Sequence, residues 1–270
     1  MLIYIYIGLT VGGVLGITGA GGSMIALPAL VSLAGLSIHQ AMPISLIAIA
    51  SGASIGAISG IRKGIVRYKA ALLMVSMGIP FSFVGIYVSK KLPQNLLFIL
   101  FALVMLIVAT RLILANFNLH SELSSSNLNH NKIISRINPR NGRFEWNWIT
   151  GIFLSGVGAL AGFMSGLIGV GGGFIIVPLL KRFTNVSMHG VVATSLMVIA
   201  LVSCGGVISS VIHGIHPPSQ TTMLFSLSTI SGMLIGRKLS VKISERHTQL
   251  GFSYILIAIA IFILIKNVVL

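Results

Sequence analysis

One glycine-rich phrase is written into this chain twice. Gly16-Ile-Thr-Gly-Ala-Gly-Gly-Ser-Met-Ile-Ala-Leu-Pro28 returns as Gly166-Leu-Ile-Gly-Val-Gly-Gly-Gly-Phe-Ile-Ile-Val-Pro178, 150 positions later. The offset runs without a gap from residue 16 to residue 60, and 16 of those 45 positions are identical. Chance gives about one match in ten to fifteen at such a composition, so the chain contains an internal duplication. A glycine cluster inside apolar sequence implies a broken helix. The remaining segments read as a frame that holds two such breaks face to face.

The frame belongs in a membrane. The 270 residues are 55% apolar and only 8% charged, with a mean hydropathy of +1.02, whereas soluble domains carry about a quarter charged residues. Apolar segments run over 2–19, 23–35, 41–61, 70–88 and 95–115, then over 148–166, 173–183, 190–212, 220–236 and 248–266. This predicts an all-α, multi-pass membrane protein with two homologous halves of five segments each. The expected units are an N-terminal repeat at 1–115, a polar linker at 116–147 and a C-terminal repeat at 148–270. The linker is rich in Asn and Ser and carries the turn signal Pro139-Arg-Asn-Gly142, while Trp146 and Trp148 after it suit the headgroup level. Residues 1–20 lack a basic leader and a small-residue cleavage motif, so they read as a retained segment. With Cys204 as its lone cysteine the chain has no intramolecular disulfide.

Charge then sets the topology. A net charge of +15 would suggest nucleic acid in a soluble chain, but here the basic residues sit in short loops without a base-reading motif. Residues 2–35 are too long for one straight span and barely long enough for two, as tilted short spans or as a re-entrant hairpin. Either way the chain returns to its starting side. One face then collects Arg62, Lys63, Arg67, Lys69, Arg111, Lys132, Arg136, Arg140, Arg143, Lys181, Arg182, Arg237, Lys238, Lys242 and Arg246, against Lys90, Lys91 and Lys266 on the other. By the positive-inside rule the linker is cytoplasmic and both termini are outside. Five segments is an odd number, so the copies enter from opposite sides. The duplication is expected to be an inverted-topology repeat, with its broken or re-entrant helices meeting at mid-membrane.

The residue chemistry points to an anion. Unwound backbone at membrane depth is tolerated where it lines a cavity or is buried in protein. At each break free N–H groups and the positive end of a helix dipole favour negative charge. The backbone candidates are Gly19, Gly21, Gly22 and Ser23 in the first copy, and Gly169, Gly171, Gly172 and Gly173 in the second. Ser45 and Ser195 match across the copies, and Thr194-Ser195 is the preferred side-chain pair. Thr18, Ser51, Ser54 and Ser203 are further hydroxyls in these segments. The bland alternatives are glycines that serve helix packing and hydroxyls that bond back to their own helices. Pro28 and Pro178 read as second-turn kinks. The only acids, Glu122, Glu145 and Glu245, fall in loops, which disfavours cation binding and a carboxylate relay. His39 and His189 also match across the copies; they start helices at the interface or couple protons. His213 and His216 lack acid or cysteine partners for a metal. No metal, cofactor or nucleic-acid partner is expected; the partners are a small anion and the lipid bilayer.

The second copy, 166–178 followed by Ser187-Met-His-Gly-Val-Val-Ala-Thr-Ser-Leu196, resembles the sulfite exporter TauE/SafE family of bacterial membrane proteins. The first copy departs from that pattern, with Ser23 in place of the third glycine and Pro43-Ile44 in place of Ala193-Thr194. The resemblance implies an inner-membrane transporter that exports sulfite, an organosulfonate or another small sulfur-containing anion by alternating access. The rivals are a channel or carrier for another anion or a neutral solute, a non-transporting scaffold, and a membrane-embedded enzyme. No acid pair or nucleophile–base constellation supports the last.

Overall fold

A computed structural model describes residues 2–19, 21–122, 147–184, 186–215, 217–240 and 245–268. Most of the expected linker, with Trp146 and His216, lies outside them. The described residues form ten helices and no extended strand: α1 (Leu2–Thr18), α2 (Gly22–Ala34), α3 (Ile38–Arg62), α4 (Tyr68–Lys91), α5 (Gln94–Glu122), α6 (Trp148–Ile168), α7 (Gly173–Phe183), α8 (Met188–Ile212), α9 (Ser219–Ser240) and α10 (Glu245–Val268). Each matches one apolar segment. The bounds of α1, α2 and α7 agree within a residue, the other helices run slightly further, and α5 continues through Glu122, past the linker boundary placed at 116.

Among the described residues α3, α4, α5, α6 and α8 are long and apolar enough to cross a bilayer. At about 1.5 Å per residue, α2 and α7 reach only about 20 Å and 17 Å, short of the roughly 30 Å hydrocarbon core. They fold back on the helices before them. Gly22 sits against the α1 backbone at Val11 and Leu15, and Gly172 against Ala161 of α6, so each pair is a tight helical hairpin.

The two halves interlock. α1 lies along α9 and α4 along α6, while α3 packs on α8 and α5 on α10. Glycines set the first two contacts. Gly8, Gly12 and Gly16 press on the α9 backbone at Phe225, Thr229 and Met233; Gly158, Gly162 and Gly166, 150 positions on, press on α4 at Met74, Gly78 and Ser82. A Cβ at any of the six would meet backbone atoms of the facing helix. Spaced one turn apart, these glycines allow the close approach on which helix association in lipid depends. At the centre Leu196 covers Gly56, Ala193 covers Gly60 and Leu46 covers Gly206, so α3 and α8 form the buried spine.

Caps fix the hairpin exits. Ser37 and Ser187 occupy matching positions before α3 and α8, and each side chain accepts the N–H three residues on. Asn147 caps α6 ahead of an 82% exposed Trp148. Cross-contacts sort the loop ends. Thr194 near the start of α8 accepts the Arg67 N–H at 3.0 Å, and Arg237 Nη1 donates to Gly56 O of α3 at 3.3 Å. Far along the same helices, Lys90 Nζ donates to His213 O.

Candidate functional site

The two breaks share glycines and little else. At the first, Gly19 (φ 77°) ends α1 and its N–H closes on Leu15 O at 2.8 Å. Thr18 Oγ1 donates to Val14 O at 2.7 Å and accepts the Gly21 N–H at 2.9 Å. Gly21 itself is right-handed, with φ −70°. A Cβ on it would lie 2.6 Å from the Phe252 ring of α10, which lids this break.

At the second break Gly169, Gly171 and Gly172 all take positive φ, at 76°, 76° and 69°. An L side chain would be strained at each. Ile168 stands where Thr18 stands in the first copy and carries no hydroxyl. The first bonds of α7 come from the Ile175 and Ile176 N–H groups to Gly172 O, so those of Gly171, Gly172, Gly173 and Phe174 meet no acceptor among the described residues. All four residues are buried. Unpaired donors of this kind cost about 1–3 kcal/mol each when nothing replaces water. The positive end of the α7 dipole lies at the same point.

Two hydroxyls deepen the contrast. Ser203 of α8 is 0% exposed, its Oγ has no partner, and a Cβ at Gly171 would lie 3.1 Å from that oxygen. Ser165, on the last turn of α6, is likewise buried with an unpartnered Oγ. Their first-copy counterparts are Ala53 and Leu15.

The structure brings the anticipated residues together unevenly. Gly19, Gly21, Gly22, Ser23, Gly169, Gly171, Gly172 and Gly173 all lie buried at the breaks. Ser45 crosses between the halves: its Oγ donates to Gly169 O at 2.7 Å, with Met42 O at 2.8 Å as the alternative acceptor. Ser195 does not reciprocate and bonds Val192 O on its own helix at 2.9 Å. Thr194 faces the α3–α4 loop. Thr18, Ser51 and Ser54 bond back to their own helices, as hydroxyls in apolar helices commonly do. His39 and His189 are the second residues of α3 and α8; His39 Nδ1 is buried without a partner, whereas His189 is exposed. Cys204 is exposed, and no cluster of three metal-ligating side chains occurs among the described residues.

Sequence reasoning passed over three features. Ser165 went unnamed, because its counterpart is Leu15. Phe252 lies outside the gapless repeat. The one-turn spacing of Gly8, Gly12 and Gly16 and of their copies is the sequence signal for the close helix pairs, and it is distinct from the bunched glycines. An opening of about 480 Å³ with a mixed lining lies elsewhere, its polar side formed by Ser32, Ser37, Gln94 and Asn95 and its apolar side by Leu36 and Phe98. It sits at the far end of α2, about 20 Å from the break by helix rise.

The described residues thus form a helical membrane protein with several helices long and apolar enough to span a bilayer and two short hairpins packed among them. Residues 4–263 match the sulfite exporter TauE/SafE family, and the chain belongs to it. It is similar to a probable membrane transporter protein of Xylella fastidiosa strain Temecula1, with 27% identity over 95% of this chain and 92% of that relative. The probable membrane transporter protein YunE of Bacillus subtilis is 26% identical over 91% of this chain and 89% of its own length. A third, from Methanocaldococcus jannaschii, is 34% identical over 40% of this chain and 43% of its own. No solved structure matches. The protein is thus a membrane transporter and not an enzyme.

Proposed function

We propose that the chain moves a small sulfur-containing oxyanion, such as sulfite or an organosulfonate, across the bacterial inner membrane by alternating access. The observation that carries this is the second break, where buried N–H groups and the α7 dipole converge in spans free of carboxylates. Glu122 and Glu245 stand at the very ends of α5 and α10, and Glu145 falls outside the described residues. The direction is export, as the family description suggests.

The halves are an inverted repeat. Contacts exchange between them, α1 with α9 mirrored by α6 with α4, as expected of two copies related by an axis in the membrane plane. The basic loops face the cytoplasm, with both termini outside. Alternating access then rocks the α3–α8 spine, with Ser45, Thr194 and Ser195 close to the moving hairpins. Without an acidic relay, the energy source is the anion's own charge in the membrane potential, about 2.3 kcal/mol per charge per 100 mV.

The test is thermal unfolding of the detergent-purified protein in sodium sulfite, thiosulfate, sulfate, sulfoacetate, phosphate and chloride. A ligand that binds only the folded state raises the melting temperature with the logarithm of its concentration. The expected result is a rise with one or two sulfur oxyanions, absent with chloride and lost in Gly172→Ala. No rise with any salt would favour a neutral solute or a scaffold.

A further inference from the structure

Resting on the reading of an anion transporter, we infer that the oxyanion is held at the α6–α7 break alone, with Ser203 as its side-chain donor, and that the α1–α2 break is a sealed structural hinge. The duplication by itself would predict two equivalent half-sites. The first, however, is already occupied by protein: Thr18 Oγ1 takes the Gly21 N–H, and Phe252 lies over the glycine. At the second, Ile168 replaces Thr18, so no side-chain hydroxyl takes a glycine N–H; Ile49 and Ile199 crowd Gly171 with methyl groups only, beside the Ser203 hydroxyl.

Ser203 supplies an independent sign of a ligand. Its hydroxyl is wholly buried, has no partner, and is directed at Gly171, whose own N–H and those of Gly172, Gly173 and Phe174 are also unpaired. Buried polar groups are almost always hydrogen-bonded, so unpaired donors on four successive residues, with the Ser203 hydroxyl beside the first of them, call for an acceptor. Successive backbone N–H groups form a concavity for anions. The Ser203 hydroxyl adds a donor from a second direction. Such a set suits an anion with several oxygens better than a spherical halide, which cannot meet separated donors with separate atoms. The Gly169 carbonyl would repel an anion, but the Ser45 hydroxyl covers it.

The test uses the full-length protein in detergent and calorimetric titration with sodium sulfite and sodium sulfate. Four proteins are compared: wild type, Ser203→Ala, Ser203→Thr and Ser210→Ala. Ser210 is a fair control, since it is buried on the same helix with its hydroxyl satisfied by Gly206 O at 2.9 Å. The expected result is a dissociation constant raised at least tenfold by Ser203→Ala, partly restored by Ser203→Thr and unchanged by Ser210→Ala. Equal binding by wild type and Ser203→Ala would overturn the assignment of Ser203 while leaving the anion reading in place. No binding of either anion to folded wild type would overturn the anion reading and this inference with it. A misfolded Ser203→Ala would show as a lowered melting temperature without anion. Ser203→Cys, of nearly the same shape but a weak donor, then decides: binding weaker than that of Ser210→Ala supports the assignment, and equal binding refutes it.

Discussion

At the α1–α2 break a threonine hydroxyl and an aromatic ring fill the space that the glycines open; at the α6–α7 break the same glycines leave four buried N–H groups and a serine hydroxyl unpaired. Three of the differences between the copies fall at these hydroxyls: Thr18 for Ile168, Leu15 for Ser165 and Ala53 for Ser203. Duplication supplies the backbone geometry twice. A few side chains then decide which copy keeps its donors for a ligand. On the proposed reading, repeat symmetry marks where a site can form and the broken symmetry marks which copy holds it.

The comparison is best strained first at the glycines. Gly172→Val forces a branched side chain into a left-handed position against the Ala161 carbonyl. A loss of about 2–5 kcal/mol is expected, from backbone strain plus overpacking. Thermal unfolding should show it directly. Gly171→Ala is milder, because its nearest neighbours would be side chains at 3.1–3.2 Å. Strain of about 1–2 kcal/mol is expected, and the sulfite-induced rise in melting temperature should disappear.

Exchanging the caps sharpens the contrast. Ile168→Thr gives the second break the hydroxyl that Thr18 gives the first. It should satisfy one N–H and weaken sulfite binding about tenfold, equivalent to about 1.4 kcal/mol. Thr18→Val uncaps Gly21 instead, and should lower stability by about 1 kcal/mol while leaving the sulfite dissociation constant unchanged. The smallest effects belong to the hairpin exits. Ser37→Ala and Ser187→Ala should each cost about 0.5–1 kcal/mol. Ser37 should cost more, because Gln40 completes a capping box there and Gly190 cannot. Melting temperatures of the pair check this.

Much of the fold was legible because it is written locally. Hydropathy placed the ten helices of the described residues, and Ser37 and Ser187 recur as caps at the same offset. The packing between halves was not legible, since Gly12 meets Thr229 and Gly162 meets Gly78 across long stretches of chain. Site chemistry divides the same way. The bunched glycines are visible in the sequence, but whether a hydroxyl is free depends on its surroundings. Ser195 and Ser203 lie eight residues apart on one helix, yet one bonds Val192 O and the other is unpaired. Only the fold distinguishes them.

The most direct measurement is uptake of ³⁵S-labelled sulfite into proteoliposomes at controlled membrane potential, with wild type and Gly171→Ala side by side. Saturable uptake by wild type that follows the potential, and its loss in a Gly171→Ala protein that still inserts and unfolds cooperatively, is the predicted result. Uptake indistinguishable from protein-free liposomes, or equal in both proteins, would contradict the account.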